Sequence, residues 1–554
     1  MQFSDIVKQD VNSKLMSLVE TEFIGDKPFY TSLFEELRAS LMPSNSEKYV
    51  NTSSYQYEIF DPTPINSCQR ALAGFMSSHY MPQDTFFKFT VPLENSQDPD
   101  LELNQRLNSR AEKVHSVLQQ PSNFSKIFSF MRDKLVLGIG AVVVEKHDEV
   151  VSQLTHHMPE NCGLLSSNGS VHDISFIREN LNQFQASIRF PSLDFESESD
   201  RISDNAGEWY YRLNIPKNVL FKYLTANKDK KQDREYFLYI EKIFGKKFLK
   251  KNEKGEILDV WFCTKGILSS TEIRNKKIII SFMQAPNDTL GMGRGQGELA
   301  LPIFRILTEL EVINLSGYER TFMPSWAVSD EPNALSFDLT RDHINFIDAD
   351  SKAPQPLSLN SDVRAMVEFK NYKQALFDRI LYLDAFQLLN KSRMTTDEVD
   401  VRRQDAYRNL GPFISEDENG FLNPLIRVIL DDINEASKKT DRIAIKALQA
   451  TYTSPLAFSA RESVFTKAQQ IFRFVKEGSE IAALNSEVSD VIDIPEYLTE
   501  ALIRVGETSA IRSEAETDYL KNLRENQKQT SLKKNNAEAL KMNSEAIKAS
   551  SSEQ

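Results

Sequence analysis

The chain has 554 residues, of which 26% are charged and 40% are apolar, a composition typical of a folded globular protein. Its formal net charge of −13 at pH 7 argues against a protein that binds nucleic acid over its whole surface, such as a histone-like protein or a repressor. The length allows one large multilayered fold or about three to four ordinary domains.

Cysteine usage and the N-terminal sequence indicate a cellular compartment. Cys68, Cys162 and Cys263 lie far apart in the sequence and give neither a disulfide framework nor a zinc-binding spacing. The N-terminal residues lack the basic and then apolar pattern of a signal peptide, and there is no apolar run of about 18 residues that could span a membrane. We therefore expect a protein that folds in a reducing cytoplasm, without a membrane-spanning segment.

The first 160 residues are expected to be mainly helical. Asn66–Met76 has apolar residues at helical spacing after a proline-containing start, and Leu107–Leu118 is amphipathic. The glycines and β-branched residues of Leu135–Glu145 predict the end of a buried helix followed by a strand.

Between about residues 170 and 285 the pattern changes to short apolar runs bounded by Gly, Asn, Asp and Lys. These runs predict strands over Glu235–Ile240, Ile257–Cys263 and Lys277–Phe282. The run Lys228–Lys254 contains ten Lys or Arg against five Asp or Glu. On hairpins such a run is interpreted as a solvated face, with a contact for DNA or an acidic partner as the alternative.

Two helices on either side of a compact segment are the clearest pattern in the chain. The loop Asn287–Gly297, with four glycines, leads into Glu298–Met323, whose apolar spacing predicts a helix of about 36 Å. Short extended pieces follow at Trp326–Ser329 and Ile344–Asp348, and Ser361–Phe386 predicts a second helix of about 39 Å. The nearly equal lengths predict a helical hairpin with a small tip domain.

The C-terminal part is again helical. Thr395–Asn434 contains Gly411-Pro412, where we expect a kink. Further helices are predicted over Ala460–Lys476 and Pro495–Gly506. The polar residues that follow predict an exposed helix or a frayed tail.

Motifs for catalysis or cofactor binding are not found. The glycine loop has Gln296 and Glu298 where a dinucleotide fingerprint needs glycine, and it lacks the Gly-Lys-Ser/Thr of a P-loop. His156-His157 has no second ligand pair nearby, so these histidines are interpreted as exposed loop residues and not as a metal site. We therefore predict a protein that is not an enzyme, with no catalytic residue, no metal and no cofactor.

Four stretches of the sequence carry a resemblance to a known family. One is Gly293-Arg-Gly295-Gln-Gly297, before a long helix; the others are Asp61–Phe75 with Pro82 and Phe87, Pro121–Phe124 with Leu137–Glu145, and Arg393–Val399 with Leu410–Pro412, Phe421–Leu425 and Tyr452–Ala457. In their order along the chain they resemble the head-to-tail connecting, or portal, proteins of short-tailed phages. The family motif is a Gly-Arg-Gly-Pro-Gly turn, so Gln296 replaces a proline, which we expect to loosen the turn and leave the start of the helix intact.

The resemblance implies an α+β, mainly helical fold, the portal fold, with wing, stem helical hairpin, clip and crown, assembling as a ring. The wing would comprise residues 1–297 (helical, then β-rich over 170–285), followed by the first stem helix at 298–323, the clip at 324–360 and the second stem helix at 361–386. A tunnel loop at 387–394, a kinked wing helix at 395–454, the crown at 455–514 and a polar helical tail at 515–554 would complete the chain.

The resemblance also implies which residues carry the function. The tunnel loop would face DNA with Asn390, Lys391, Ser392 and Arg393. Lys391 and Arg393 would contact phosphates independently of base sequence, and an ordinary exposed loop is the alternative. The turn into the stem helix would be formed by Gly293, Gly295 and Gly297.

Portal proteins of this family form dodecameric rings at one capsid vertex, through which the genome is packaged and ejected. The implied partners are further copies of the chain, double-stranded DNA in the channel, the major capsid protein, the terminase large subunit, scaffold, and head–tail adaptor or tail proteins, with no membrane. The protein would reside in the virion at the portal vertex, after assembly in the host cytoplasm. Two alternatives remain: another head–tail or scaffold protein, and an enzyme of the packaging machinery.

Overall fold

The computed structural model describes residues 3–24, 27–43, 61–80, 85–90, 101–147, 151–165, 173–191, 207–226, 234–244, 256–284, 293–323, 325–329, 344–347, 355–356, 363–383, 410–436 and 449–452. Internal contacts divide the chain into two compact units, one of residues 1–86, 113–445 and 454–460, the other of residues 87–112, 446–453 and 461–554. The fold mixes helices and sheets. None of the helices in the described ranges is long and apolar enough to cross a membrane.

The described helices are α1 (Phe3–Ile24), α2 (Lys27–Leu41), α3 (Thr63–His79), α4 (Leu101–Leu118), α5 (Pro121–Leu137), α6 (Gln183–Arg189), α7 (Lys217–Thr225), α8 (Arg234–Phe244), α9 (Gln296–Phe322), α10 (Val363–Ile380), α11 (410–417) and α12 (Asn423–Ala436). The described strands are β1 (Phe87–Thr90), β2 (Ile139–His147), β3 (Val151–His157), β4 (Cys162–Leu165), β5 (Ile174–Leu181), β6 (Glu208–Pro216), β7 (Ile257–Cys263), β8 (Gly266–Ile273), β9 (Ile278–Phe282), β10 (Trp326–Ser329), β11 (Ile344–Ile347), β12 (Gln355–Pro356) and β13 (Gln449–Tyr452).

A five-stranded antiparallel sheet with the order β4-β5-β6-β7-β8 is the largest sheet of the first unit. Side chains of a strand point alternately to its two faces, and both faces of this sheet are covered. Leu213 and Val260 lie on the face that packs against α1, α7 and α8. Tyr210 is three positions before Leu213, and Trp261 directly follows Val260. Both therefore lie on the opposite face of the sheet, where they pack against Phe190, the residue that follows α6. The predicted strands Ile257–Cys263 and Lys277–Phe282 correspond to β7 and β9.

The prediction of a strand over Glu235–Ile240 is wrong, because these residues belong to α8. Tyr236, Ile240 and Phe244 recur every four residues and are all buried in the core beneath the sheet. A window of six residues was too short to reveal this period, and Tyr, Phe and Ile favour strands in isolation. The described part of the basic run is therefore helical.

A second sheet of three antiparallel strands, β3-β2-β9, follows directly from α5. The helix ends at Gly138, whose φ of 88° is left-handed, and the chain continues as the central strand of the sheet. This confirms the helix end followed by a strand that Leu135–Glu145 predicted. Asn214 of β6 joins the two sheets, since its side-chain oxygen accepts hydrogen bonds from the backbone of Lys277 at 2.8 Å and of Ile278 at 3.0 Å.

The predicted helical hairpin is formed by α9 and α10, which pack along one another. α9 agrees with the predicted helix to within two residues at its start and one at its end. The equal lengths are wrong for the described residues, because α9 has 27 residues and α10 has 18. α10 stops at Ile380, just before Tyr382, whose backbone is left-handed with a φ of 58° and cannot continue a right-handed helix.

Between the two hairpin helices lies a small three-stranded sheet with the order β11-β10-β12. Strand β10 is parallel to β11 and antiparallel to β12. The extended pieces predicted at Trp326–Ser329 and Ile344–Asp348 are confirmed as strands.

The helical region that contains Gly411-Pro412 is described only from residue 410, so the kink expected at this dipeptide stays a prediction, and a separate irregularity lies further along the chain. α11 runs into a π-helical turn, Glu418–Leu422, before α12 begins. Pro424 explains this turn, because a proline ring collides with the carbonyl group four residues earlier and a wider turn relieves the collision. The backbone N–H of Asn423 accordingly donates to the carbonyl oxygen of Glu418, five residues back.

In the second unit, β1 and β13 pair as an antiparallel ladder in which Phe87 lies opposite Tyr452. The expected tunnel loop, crown and polar tail, and the helices predicted over Ala460–Lys476 and Pro495–Gly506, lie outside the described residues.

Candidate functional site

The glycines of the Gly293–Gly297 turn interlock with the end of α5. A Cβ atom on Gly295 would lie 2.3 Å from the Val136 carbonyl oxygen and 2.5 Å from the nitrogen of Gly138. On Gly293 it would lie 2.4 Å from the Gly138 carbonyl oxygen, and on Gly297 2.4 Å from that of Val136. All these distances are shorter than a carbon atom tolerates, so the start of α9 can approach α5 this closely only with glycine at these positions.

Two polar side chains of α10, Lys370 and Gln374, fix the second hairpin helix. The Lys370 ammonium group pairs with Glu311 on α9 and lies 3.1 Å from Asp61 Oδ2, just before α3. Four residues further along α10, the side-chain amide of Gln374 donates to the hydroxyl oxygen of Ser67 on α3 at 3.1 Å. The hairpin is therefore held at its base by α3 as well as by α5.

A cluster of buried polar groups lies beside this base, at the end of α11. The Asp417 carboxylate pairs with Lys134 Nζ at 2.7 Å, and neither side chain is exposed to solvent. Tyr80 donates its hydroxyl hydrogen to Asp417 Oδ2 at 2.9 Å, and His79 Nε2 lies 3.1 Å from the same oxygen. Lys134 Nζ also donates to the hydroxyl oxygen of Ser281 on β9 at 3.0 Å.

The electrostatics of this buried cluster favour the charged pair. Burial alone would raise the pKa of Asp417, but attraction to the Lys134 ammonium and the neighbouring His79 lower it overall, well below the usual range. A buried charge is tolerated only when it is paired and hydrogen-bonded, and both conditions are met here. The cluster thus joins α3, α5, β9 and α11 into one rigid connection.

Aromatic side chains surround the buried pair. Phe130 of α5 stacks on Phe421 of the π turn at 3.9 Å between ring centroids, and Phe75 of α3 meets Phe413 of α11 edge to face at 4.8 Å. Lys134 Nζ lies 5.1 Å from the Phe413 ring centre, within the range of a cation–π contact. Segments that are far apart in sequence therefore pack against each other around this connection, and Phe75 and Phe421 come from two of the stretches that carry the family resemblance.

The outer half of the hairpin exposes large apolar side chains. Phe322 is 80% exposed and Tyr372 is 59% exposed. The other exposed large apolar residues in this outer half are Val312, Ile313, Leu315, Tyr318, Met323, Val367 and Phe369, and Leu299 is exposed near the start of α9. Exposed apolar groups at the density of the outer half are typical of a surface that contacts another molecule.

These apolar residues lie on both sides of α9. At about 100° per residue, Ile313 projects to one side of the buried Asn314, whereas Leu315 and Phe322 project to the other side. The two helices also differ in charge, since α9 carries four acidic and two basic residues and α10 carries four basic and two acidic residues. The hairpin therefore has apolar side chains on both sides of α9 and consists of two helices of opposite net charge.

The histidine pair is not in an exposed loop as the sequence suggested. His156 and His157 lie on β3, where pairing with β2 partly buries them. His156 Nε2 lies 2.9 Å from Asp133 Oδ2. Burial, followed by repulsion from His156 and from the nearby arginines, lowers the pKa of His157 to about 4. Among the described residues there is no group of His, Cys, Asp and Glu that could hold a metal ion.

The predicted site residues are placed only in part. Gly295 immediately precedes α9, and Gly293 and Gly297 flank it in the interlocked turn. The residues expected to face DNA, Asn390, Lys391, Ser392 and Arg393, lie outside the described residues. Sequence reasoning missed Asp417 and Lys134. The one available signal was a lysine inside the apolar end of α5, where a charge requires a buried partner.

Comparison with known families decides which kind of protein carries this hairpin. The sequence pattern of the bacteriophage head to tail connecting proteins matches residues 26–220 and 275–511, most of the chain. The chain belongs to this family. The connector is accordingly a structural component of a phage particle, and the matched ranges include its interlocked glycines, its hairpin and its buried cluster. No curated protein sequence matches the chain.

Proposed function

We propose that the connector forms the portal, a ring of twelve copies at one capsid vertex through which the phage genome is packaged and ejected. The observation that carries the proposal is the hairpin, which is anchored at its base and exposes apolar side chains on both sides. One partner would cover only one side. A ring supplies each copy with two neighbours, and a rotation that closes on itself leaves no apolar side uncovered.

The charges of the hairpin support contact between unlike surfaces. In a ring built head to tail, the acidic α9 of one copy would face the basic α10 of the next. In a symmetric dimer, both copies would use the same surface, and helices of like charge would face each other. Repulsion between like charges makes that arrangement less favourable than the head-to-tail one. The apolar residues would contribute most of the association energy and the charges would select the partner helix.

In the proposed ring, α9 and α10 form the stem and the β10–β12 sheet belongs to the clip at 324–360. Residues 1–297 and 395–454 form the wing, residues 455–514 the crown and 515–554 the tail. The tunnel loop at 387–394 faces DNA through Asn390, Lys391, Ser392 and Arg393. Terminase docks on the ring during packaging and head–tail adaptor or tail proteins dock afterwards, with scaffold and the major capsid protein as partners during assembly in the host cytoplasm.

The apolar sides of the hairpin provide the test of this proposal. Ile313→Asp places a charge on one side of α9, and Ser125→Asp places the same charge on an exposed position of α5, outside the hairpin. We expect rings from the wild type and from Ser125→Asp, and mainly single subunits from Ile313→Asp, counted by mass photometry and electron microscopy. Equal ring yields from both variants would show that this surface does not join copies.

A further inference from the structure

The end of the second hairpin helix has an unusual backbone. Tyr382 has a φ of 58°, and among the described residues only one other non-glycine residue, Val151, has a positive φ. A bulky side chain rarely adopts this conformation, and the conformation persists only where surrounding contacts enforce it. Strain of this kind therefore points to contacts that hold the turn.

Buried neighbours and two backbone hydrogen bonds fix the residues around Tyr382. Phe377, Leu381 and Leu383 are almost completely buried. The backbone N–H of Leu381 donates to the Phe377 carbonyl oxygen at 3.2 Å, and that of Tyr382 donates to the Arg379 carbonyl oxygen at 3.1 Å. These contacts anchor the chain before the turn, and the tyrosine side chain is anchored separately.

The side chain of Tyr382 is held by Gln296, the first residue of α9. The Gln296 amide donates to the Tyr382 hydroxyl oxygen at 3.3 Å, and Gln296 is only 3% exposed. A buried amide needs such a partner, because an amide group without a hydrogen bond in the protein interior destabilises the fold. The glycines on either side of Gln296 are interlocked with Val136 and Gly138, so this amide projects from a rigid point of the fold.

Gln296 is also the position at which the sequence departs from the Gly-Arg-Gly-Pro-Gly motif that it resembles. A proline has no side-chain donor and could not make this bond. The expectation that glutamine merely loosens the turn is therefore incomplete, since the glutamine links the start of the first hairpin helix to the end of the second.

We propose that Gln296 is a positioning residue, whose bond to Tyr382 sets the direction in which the chain leaves the second hairpin helix. Residue 387, where the DNA-facing loop is proposed to begin, is five residues after Tyr382. The link would then hold the loop in register with the rigid turn between α5 and α9. This inference rests on the proposed portal function for its consequence, and on the Gln296–Tyr382 contact alone for its structural part.

The structural part is tested with Gln296→Leu, Tyr382→Phe and the double variant, by hydrogen exchange at the amides of Leu381 and Tyr382. Each single variant should increase exchange there about five-fold, the effect of losing one neutral hydrogen bond of about 1 kcal/mol. The double variant should exchange no faster than the single variants, because both remove the same bond. Unchanged exchange, or effects that simply add, would overturn the proposal.

A matched control is Tyr223→Phe, which deletes a hydroxyl group that donates to the Lys14 carbonyl oxygen at 3.1 Å in another part of the fold. It should leave exchange at residues 381 and 382 unchanged. The functional part is measured as packaged DNA per particle, which should fall in Gln296→Leu and Tyr382→Phe but not in Tyr223→Phe. Faster exchange with normal packaging would refute the role in positioning the loop. Absence of rings from the wild type would instead refute the portal function.

Discussion

At the scale of single residues, Asp417 makes most of the polar contacts in the buried cluster at the end of α11. Its carboxylate is fully buried and is bound by Lys134 and Tyr80, which come from two different helical segments. Breaking a buried ion pair leaves its partner charge without compensation, which typically costs about 3–5 kcal/mol. The polar contacts that link α3 and α5 to α11 therefore meet at one side chain.

We expect Asp417→Asn to lower the free energy of unfolding by about 3–5 kcal/mol, because Lys134 would remain buried without a counter-charge. The measurement is urea unfolding at pH 7. The control is Glu208→Gln, which breaks an exposed surface pair with Lys265 and should cost at most about 1 kcal/mol. Similar losses in the two variants would contradict the assignment of Asp417 as the central group.

The pH dependence of the same variant follows from the lowered pKa of Asp417. A carboxyl group whose pKa is lower in the folded protein contributes stability above its unfolded pKa of about 4, and this stability is lost as the pH falls towards the folded pKa. The difference in unfolding free energy between the wild type and Asp417→Asn should therefore be largest near neutral pH and shrink below about pH 4. A difference that is constant down to pH 3 would be inconsistent with this assignment.

At this scale, local sequence motifs could be interpreted from the sequence, whereas the surroundings of individual side chains could not. The three glycines of the turn were interpreted as the start of a helix, because P-loop and dinucleotide patterns fail at Gln296 and Glu298, and the structure places them at the start of α9. The environments of His157 and Asp417 could not be predicted, because their partners come from distant segments. Only the folded chain brings Asp417 to Lys134, 283 positions away.

At the scale of secondary-structure elements, the tight contact between α5 and the start of α9 determines how the hairpin is mounted. We expect Gly295→Ala to destabilise the protein by about 1–3 kcal/mol, because the new methyl group would lie 2.3 Å from a backbone oxygen and backbone must shift. Gly317→Ala is the control within the same helix. A Cβ there meets no atom within 4 Å, so the better helix former should stabilise the protein by about 0.5–1 kcal/mol.

Thermal or urea unfolding of both glycine variants measures this difference. Opposite signs for Gly295→Ala and Gly317→Ala would support the interlocked turn. Equal effects of the two substitutions would mean that the close approach of α9 to α5 does not exist in solution.

Helices with a long, regular spacing of apolar residues were predicted well. Helix ends and turns that depend on an unusual backbone conformation were not. The apolar spacing of α9 was sufficient to locate it to within two residues. Its partner α10 is shorter than predicted because Tyr382 adopts a left-handed backbone, which its residue type disfavours and no pattern reveals. The π turn at Glu418–Leu422 likewise depends on a proline that lies beyond it, in α12.

At the scale of the whole molecule, the net charge of −13 per chain constrains how DNA could pass through a ring. A strongly acidic ring repels DNA except where cations are placed, and a weak contact lets DNA slide. We expect Lys391→Ala with Arg393→Ala to leave ring assembly intact and to reduce DNA packaging or retention. The measurement is the yield of filled particles, and an unchanged yield would refute the placement of these residues at the channel.

The proposed portal function, which is based on the family of the chain and on the exposed hairpin, depends above all on ring formation. The most direct measurement is electron microscopy of the purified wild-type connector at moderate concentration, with two-dimensional class averages and a mass distribution from the same sample. The proposed portal predicts closed rings with a central channel and a mass of about twelve chains. A preparation that contains only single subunits, with no rings, would contradict it.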